Sequence, residues 1–315
     1  MSPQSRNDFG IAVICALTIE FDAVEASFDE NYDPQKYGKQ PGDVNFYHTG
    51  RIGKHNVVLT CLPEMGKRSA VSVASSLQVS FPQITLSLLV GICGGVPFPS
   101  PGTEIILGDV IISARIDEFQ LRRDFIATIG QADLDIRTIL HALNTKQLKD
   151  EFQERHLGYL KGLQQLDARW RHPGIINDRL FKKSYRHKHR DHHENLETTS
   201  LENDCDTLGC SENIVLRDRL TALLLSCQVH FGTMASGDAV MKSGQHRERL
   251  SKKTKAIGFE MEEAGTCDTL RCLIIKGVCD YADSHKNKRW QEYAAATAAS
   301  CAKAFLEVLP GSIFF

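Results

Sequence analysis

Short apolar runs of strand length, most of them followed by a segment of helical pattern, recur along this chain and limit its possible folds more than any other feature. Gly10–Leu17 is such a run, and a helical pattern follows it from Ile19 to Phe28. Asn45–Gly50 and Asn56–Leu62 read as two strands joined by the turn-like Arg51–Lys54, and Lys67–Val79 as a helix between Gly66 and Pro82. Thr85–Gly91 is a continuous apolar strand that runs into the glycine-rich Gly91–Gly95. Leu107–Ala114, Gln228–Ala235 and Cys272–Asp280 continue the series, before an alanine-rich helix at about Trp290–Leu309. Such alternation predicts an α/β fold, with a mostly parallel or mixed sheet and helices on both faces.

The middle of the chain behaves differently. Asp133–Gln165 is helical in pattern and increasingly charged. Arg171–Asn213 is polar, with His187, His189, His192 and His193 near Cys205 and Cys210. The expected organisation is one domain over residues 8–311, interrupted by an insertion at 150–213 that is mobile in part. The histidines and cysteines of this stretch suggest zinc, but Cys205-x4-Cys210 is wider than the usual cysteine pair and the histidines are too dense to select a geometry. A solvated loop, with no metal, is the expectation.

A length of 315 residues with 42% hydrophobic and 24% charged residues suits a globular protein. The net charge of −2 gives no basic field to attract nucleic acid. No run approaches the roughly 20 apolar residues that span a bilayer, and the N-terminus lacks the layout of a signal peptide. The ten cysteines are scattered, several within apolar strands, which suggests buried reduced thiols. The expectation is a cytoplasmic protein with no nucleic-acid or membrane partner.

Five segments carry chemistry at predicted strand ends. Glu260, Glu262 and Glu263 crowd the stretch Gly258–Gly265; on an extended segment Glu260 and Glu262 share a face and can accept hydrogen bonds from a vicinal diol. Asp280 closes the run Cys272–Asp280, which Lys276 alone interrupts. Glu20 follows the first strand, Gly91–Gly95 follows another, and Ser236–Met241 a third. Each has an ordinary alternative: a solvated helix face, a helix cap, an acid in a first turn, a glycine turn. Their shared position at strand ends, where open α/β sheets bind ligands, makes one common crevice the stronger reading.

Phe259–Glu262, with Cys279–Asp283 downstream, resembles signatures of the nucleoside phosphorylase/nucleosidase superfamily. Gly91–Gly95 and Ser236–Ala239 fit the same pattern in the same order. The run Asp280–Gln291, followed by Tyr293–Ala296, is similar to the phosphorylase-like domain at the front of NACHT and ankyrin-repeat proteins. The match covers nearly the whole chain except about 150–213. It implies a three-layer α/β/α fold with a central mixed sheet partly closed into a barrel, no cofactor, and a homodimer or higher homo-oligomer.

The resemblance also implies roles. Asp280 matches the acid that donates to purine N7, Glu262 the acid that grips the ribose hydroxyls, and Met261 a side chain beside the sugar. Val240 and Met241 match residues that hold the base, Met65 falls near the 5′ side of ribose, and Glu20 matches the water-activating glutamate of methylthioadenosine/S-adenosylhomocysteine nucleosidases. Phe259, Glu260, Ser236, Asp238, Cys93 and Gly94 complete the expected substrate set.

Cleaving a glycosidic C–N bond develops a ribosyl cation and an electron-rich leaving base, so an acid at the base and a carboxylate near the cation suit it. Asp280 would need its pKa raised by burial to act as an acid at neutral pH. Glu20 would repel phosphate, and Ile92 replaces the serine common in phosphorylases; both favour water as nucleophile. Members of the resembled branch include enzymes that remove adenine from ATP as defence effectors. A triphosphate needs cations, for which Lys67, Arg68, Arg179, Lys182, Lys183, Arg186 and His187 are candidates. Hydrolysis of an adenine nucleotide or nucleoside is thus the leading expectation. A phosphate-dependent phosphorylase and a non-catalytic nucleotide sensor stay open.

Overall fold

In the computed structural model, the described residues are 3–64, 66–119, 126–187, 205, 210, 213–221, 226–237, 239–261, 266–267 and 269–310. Met65, Asp238 and Glu262 therefore lie outside the described residues, as do His189, His192 and His193. The strands are β1 Ile11–Cys15, β2 Glu30–Asn31, β3 Tyr47–Ile52, β4 His55–Cys61, β5 Leu86–Gly95, β6 Val110–Ser113, β7 Arg115–Phe119, β8 Ile126–Gln131, β9 Val229–Phe231, β10 Thr233–Gly237, β11 Ala256–Glu260 and β12 Cys272–Asp280. The α-helices are α1 Thr18–Glu25, α2 Pro34–Tyr37, α3 Lys67–Ser80, α4 Leu134–Leu143, α5 Lys146–Leu166, α6 Asp218–Thr221, α7 Gly244–Thr254 and α8 Gln291–Val308.

This is an α/β fold around a central mixed sheet. One path runs β2-β3-β4-β1-β5-β11-β10-β7-β8, while β12 joins β5 to β6 and β6 joins β9. β5 is the branch point. It is parallel to β1 over Leu86–Leu89 and to β12 over most of its length, and its last two residues pair antiparallel with β11. The interior strands β1 and β5 are buried nearly throughout, as the apolar runs required.

Two sequence expectations are corrected by this topology. Gly91–Gly95 is no turn beyond the strand; it is the strand's own second half, held by β12 and β11. Gln228–Ala235 is two strands, because the chain leaves the β6 side at Gly232 and joins β7 and β11 on the other branch. A side chain at Gly232 would meet Ile257 at 2.5 Å, so the crossing is made where none exists.

α8 is the central helix. Its alanines 294, 295, 296, 298, 299, 302 and 304 are buried, and it packs on β5, β6, β12, α1 and α5. The approach is close enough that a Cβ on Gly277 would strike the Ala294 carbonyl at 2.0 Å. The helical stretch expected over 133–165 is α4 and α5, divided at Asn144 and Thr145. α5, the first part of the segment 150–213, lays Phe152, His156, Leu160 and Leu163 into the core along α8. Burying each large apolar side chain there contributes roughly 1.5–3 kcal/mol. Among the described residues no helix is long and apolar enough to cross a membrane.

Candidate active site

A cavity of about 860 Å³ opens at the ends of β1, β5, β11 and β12. Glu20, Cys93, Gly94, Val240, Met241, Phe259, Glu260, Met261 and Asp280 all line it. The sequence-derived candidates from five separate segments thus converge on one crevice, at the sheet edge where ligands bind in open α/β folds. Ser236, the remaining described member of the expected substrate set, is buried in β10 and does not line the cavity.

Glu20 sits in the first turn of α1, so the ordinary helix-start reading also holds. Its Oε2 accepts from the backbone N–H groups of Ala16 (2.7 Å) and Leu17 (2.9 Å). Its Oε1 reaches across the sheet to the Ile92 N–H at 2.8 Å. The side chain rests on Gly91, where a Cβ would lie 2.4 Å from Oε1. Burial pushes the Glu20 carboxyl above its ordinary range; the Lys276 ammonium and the three backbone donors pull the other way without cancelling it. Lys276, buried in β12, pairs in register with Gly91. This cation was invisible as a site residue in the sequence, where it stood as an interruption of an apolar run.

Asp280 ends β12 opposite Gly94, whose missing side chain leaves room for it: a Cβ there would lie 2.8 Å from Oδ1. Oδ1 accepts from the Ala282 N–H at 2.7 Å and Oδ2 from the Lys286 ammonium at 2.9 Å. The turn that aims this N–H places Ala282 at φ 50°, in the left-handed region, at a cost of about 1–2 kcal/mol for a residue with a Cβ. Burial works against the charge on Lys286, but the Asp280 carboxylate, together with Cys279 and Asp283, outweighs that and holds Lys286 above the ordinary lysine value. The next residue is anchored on two sides: Tyr281 donates its hydroxyl to Asp178 (2.6 Å), and its carbonyl accepts from buried Arg247 (2.6 Å).

One wall of the cavity is apolar. Phe259 stands edge-on to Phe119 with ring centres 5.7 Å apart, beside Val240 and Met241. Among the described residues, the cations that line the cavity are Lys242, Lys286, Lys288 and Arg289. The expected phosphate ligands lie elsewhere. Lys67 pairs with Glu118 at 3.3 Å, Lys183 with Glu248 at 2.6 Å, and Arg68 and Arg186 are exposed away from the cavity lining. Arg179 lines a separate small cavity of about 40 Å³ that shares Asp280 and Arg289 with the main one. The basic residues of the run 286–289 were in view only as part of a family signature, and their position six to nine residues beyond Asp280 was the signal to use.

The polar stretch also departs from the solvated-loop expectation. His187, Cys205 and Cys210 are buried and gathered, because Phe181, Tyr185 and His285 form an aromatic wall that they pack against.

Comparison with known proteins fits this geometry. The chain has the nucleoside phosphorylase/nucleosidase fold. Futalosine hydrolase of Helicobacter pylori superposes with a TM-score of 0.56 at 16% identity, covering 96% of this chain and 99% of that one. The 5′-methylthioadenosine/S-adenosylhomocysteine nucleosidase of the same organism gives 0.56 at 14% identity over 96% and 100%. That of Neisseria meningitidis, in complex with methylthio-immucillin-A, gives 0.56 at 15% over 98% and 100%. In sequence, the chain is homologous to a nucleotide-binding leucine-rich repeat (NLR)-like protein of Hyaloscypha variabilis, 32% identical over 96% of this chain. The chain spans 29% of the length of that relative. No protein-family model matches the chain.

Proposed function

We propose that this chain hydrolyses the N-glycosidic bond of an adenine nucleotide, ATP before a neutral nucleoside, releasing adenine and the ribose 5′-phosphate moiety. The observation that carries this reading is Glu20: a buried carboxylate in the cavity, raised above its ordinary pKa by burial and facing the same space as Asp280. A raised carboxylate is the stronger base, suited to orienting and deprotonating water at C1′. Its oxygens already occupy the N–H groups of Ala16, Leu17 and Ile92, donors that a phosphate dianion would otherwise use. This favours hydrolysis over phosphorolysis.

Asp280, with the Lys286 ammonium on its Oδ2, supplies the acid arm at purine N7: a proton passes from the ammonium to the carboxylate and on to N7 as the C–N bond breaks, leaving Lys286 neutral. Glu262 and Met261 take the ribose, in line with the family resemblance, while Phe259, Met241 and Val240 hold the base. Lys242, Lys288 and Arg289 support a 5′-phosphate chain. In a longer NLR-like protein such a module would act as an immune effector that depletes nucleotide, assembled as a homo-oligomer.

The test is chromatography of ATP, adenosine and 5′-methylthioadenosine incubated with the protein, with and without inorganic phosphate. Free adenine from ATP without phosphate supports the proposal. Release that needs phosphate makes the chain a phosphorylase, and no release from any of the three makes it a binding module. Equal turnover of adenosine and ATP removes the nucleotide preference.

A further inference from the structure

We propose that His187, Cys205 and Cys210 bind a structural zinc ion that fastens the polar segment to the strand end carrying Asp280. Their ligand atoms, one imidazole nitrogen and two sulfurs, all lie within 4.8 Å of one another. A tetrahedral zinc with bonds of about 2.0–2.3 Å holds its donors roughly 3.5–3.8 Å apart, so small side-chain shifts complete the set. All three residues are buried, and both cysteines are free thiols. The backbones of the two cysteines are already joined, since the Cys210 N–H donates to the Cys205 carbonyl at 2.9 Å. Four intervening residues is the upper end of the spacing that structural zinc sites use, and two thiolates with an imidazole are a donor set zinc prefers.

The surroundings suit an ion better than an apolar core. Among the described residues, the local cluster consists of Phe181, Cys205 and Cys210, with Tyr185 packed against it. So small a cluster supplies little burial energy, and a metal cross-link is how small substructures make up the difference. His285 completes the picture. It stacks on Phe181 with ring centres 4.0 Å apart and lies 5.4 Å from the His187 ring, tilted by 57°. It is 7% exposed, yet neither ring nitrogen has a hydrogen-bond partner; the nearest Asp283 oxygen is 3.6 Å away. Two imidazoles on one zinc have ring centres roughly 5 Å apart, so His285 stands next to the fourth position, with Asp283 behind it as a carboxylate that orients the ring.

The cross-link has a structural readout. The His187 N–H donates to Ser284 Oγ at 3.0 Å, so the ion ties its three ligands to residues 283–285, within five positions of Asp280. The site is outside the lining of the main cavity, and the proposal stands whether or not the chain cleaves a glycosidic bond.

The experiment is elemental analysis of the full chain purified under reducing conditions without added metal, followed by chelation and reconstitution with cobalt(II). The expected result is about one zinc per chain. The cobalt form should show thiolate-to-metal charge transfer in the near ultraviolet and the visible bands of tetrahedral coordination. Both should be lost in Cys205→Ser/Cys210→Ser and weakened in His187→Asn, while Cys301→Ser keeps them. Because the wild-type cobalt spectrum reports thiolate ligation directly, it decides the matter even if the double variant fails to fold. Absence of stoichiometric zinc together with no cobalt–thiolate bands overturns the proposal. So does unchanged metal content in a folded double variant, or a Cys205–Cys210 disulfide in peptide maps of the protein as first purified.

Discussion

Gly91 lacks a side chain where Glu20 needs the space: a Cβ there would fall 2.4 Å from Oε1 and 2.6 Å from Cδ. Gly91→Ala must therefore push the carboxylate from its three backbone donors or shift β5. We expect adenine release to fall by about 10²-fold or more, with a stability loss of about 1–3 kcal/mol from overpacking. Urea denaturation separates the two effects. A folded variant with undiminished turnover would show that the position of Glu20 is irrelevant to catalysis.

Glu20 should set the acid limb of the rate profile. A base must be ionised to work, so kcat/KM should fall as pH drops through its pKa, at a pH above the ordinary glutamate value because burial raises that pKa. Lys276 lowers it, so Lys276→Met should move the limb to higher pH. Glu20→Gln should reduce turnover by about 10²–10⁴-fold. An acid limb that stays in place in Lys276→Met contradicts this assignment.

Asp280→Asn should cost about 10²–10⁴-fold in kcat with the fold retained, since the amide oxygen still accepts from Ala282 while only the acceptor for Lys286 is lost. Lys286→Gln should lower kcat more than it raises KM, because its ammonium meets charge that appears as the base departs. Full activity in either variant removes that residue from the acid arm.

Lys288→Glu combined with Arg289→Glu should raise KM for ATP about tenfold or more while leaving adenosine little affected. Initial rates on the two substrates at constant ionic strength provide the comparison. Parallel changes would mean that these cations do not meet the phosphates.

His156 predicts acid sensitivity in the core. It is fully buried between Cys227 Sγ (3.2 Å) and Ser300 Oγ (3.0 Å), and burial pushes its pKa down to about 4 from 6.5. The unfolded chain thus takes up a proton that the native state resists. Stability from this residue is fully present above pH 6.5, falls as pH drops below it, and levels off near pH 4, a loss of about 3 kcal/mol. Between pH 7.5 and 5, His156→Gln should lose less stability than the parent by about 2 kcal/mol. Identical pH slopes would rule this out.

Much of the sheet was readable because buried strands are apolar runs: Cys272–Asp280 matches β12 residue for residue. The positions of Glu20 and Asp280 were readable for the same reason, since each follows directly from where a run stops. What depends on pairing was not readable. The register that sets Lys276 beside Gly91 is a contact between distant segments, and nothing local in either strand announces it. The glycines of β5 suggested space for a ligand, whereas the space at Gly91 and Gly94 is filled by the protein's own carboxylates. Basic residues of the polar stretch promised phosphate contacts, but exposure and acidic partners such as Glu248 draw them elsewhere. The gathering of His187 with Cys205 and Cys210 depends on an aromatic wall built from two distant segments, beyond the reach of spacing rules.

Gly91 and Gly94 lie three residues apart on β5, and each leaves its space to a carboxylate from another element, Glu20 of α1 and Asp280 of β12. Each carboxylate has its own cation: Lys276 acts on Glu20, and Lys286 donates to Asp280. The two acids open on one cavity, yet each is held by its own set of donors, Ala16, Leu17 and Ile92 for Glu20 and Ala282 and Lys286 for Asp280. A side chain added at either glycine would therefore displace one acid while leaving the other acid's donors in place.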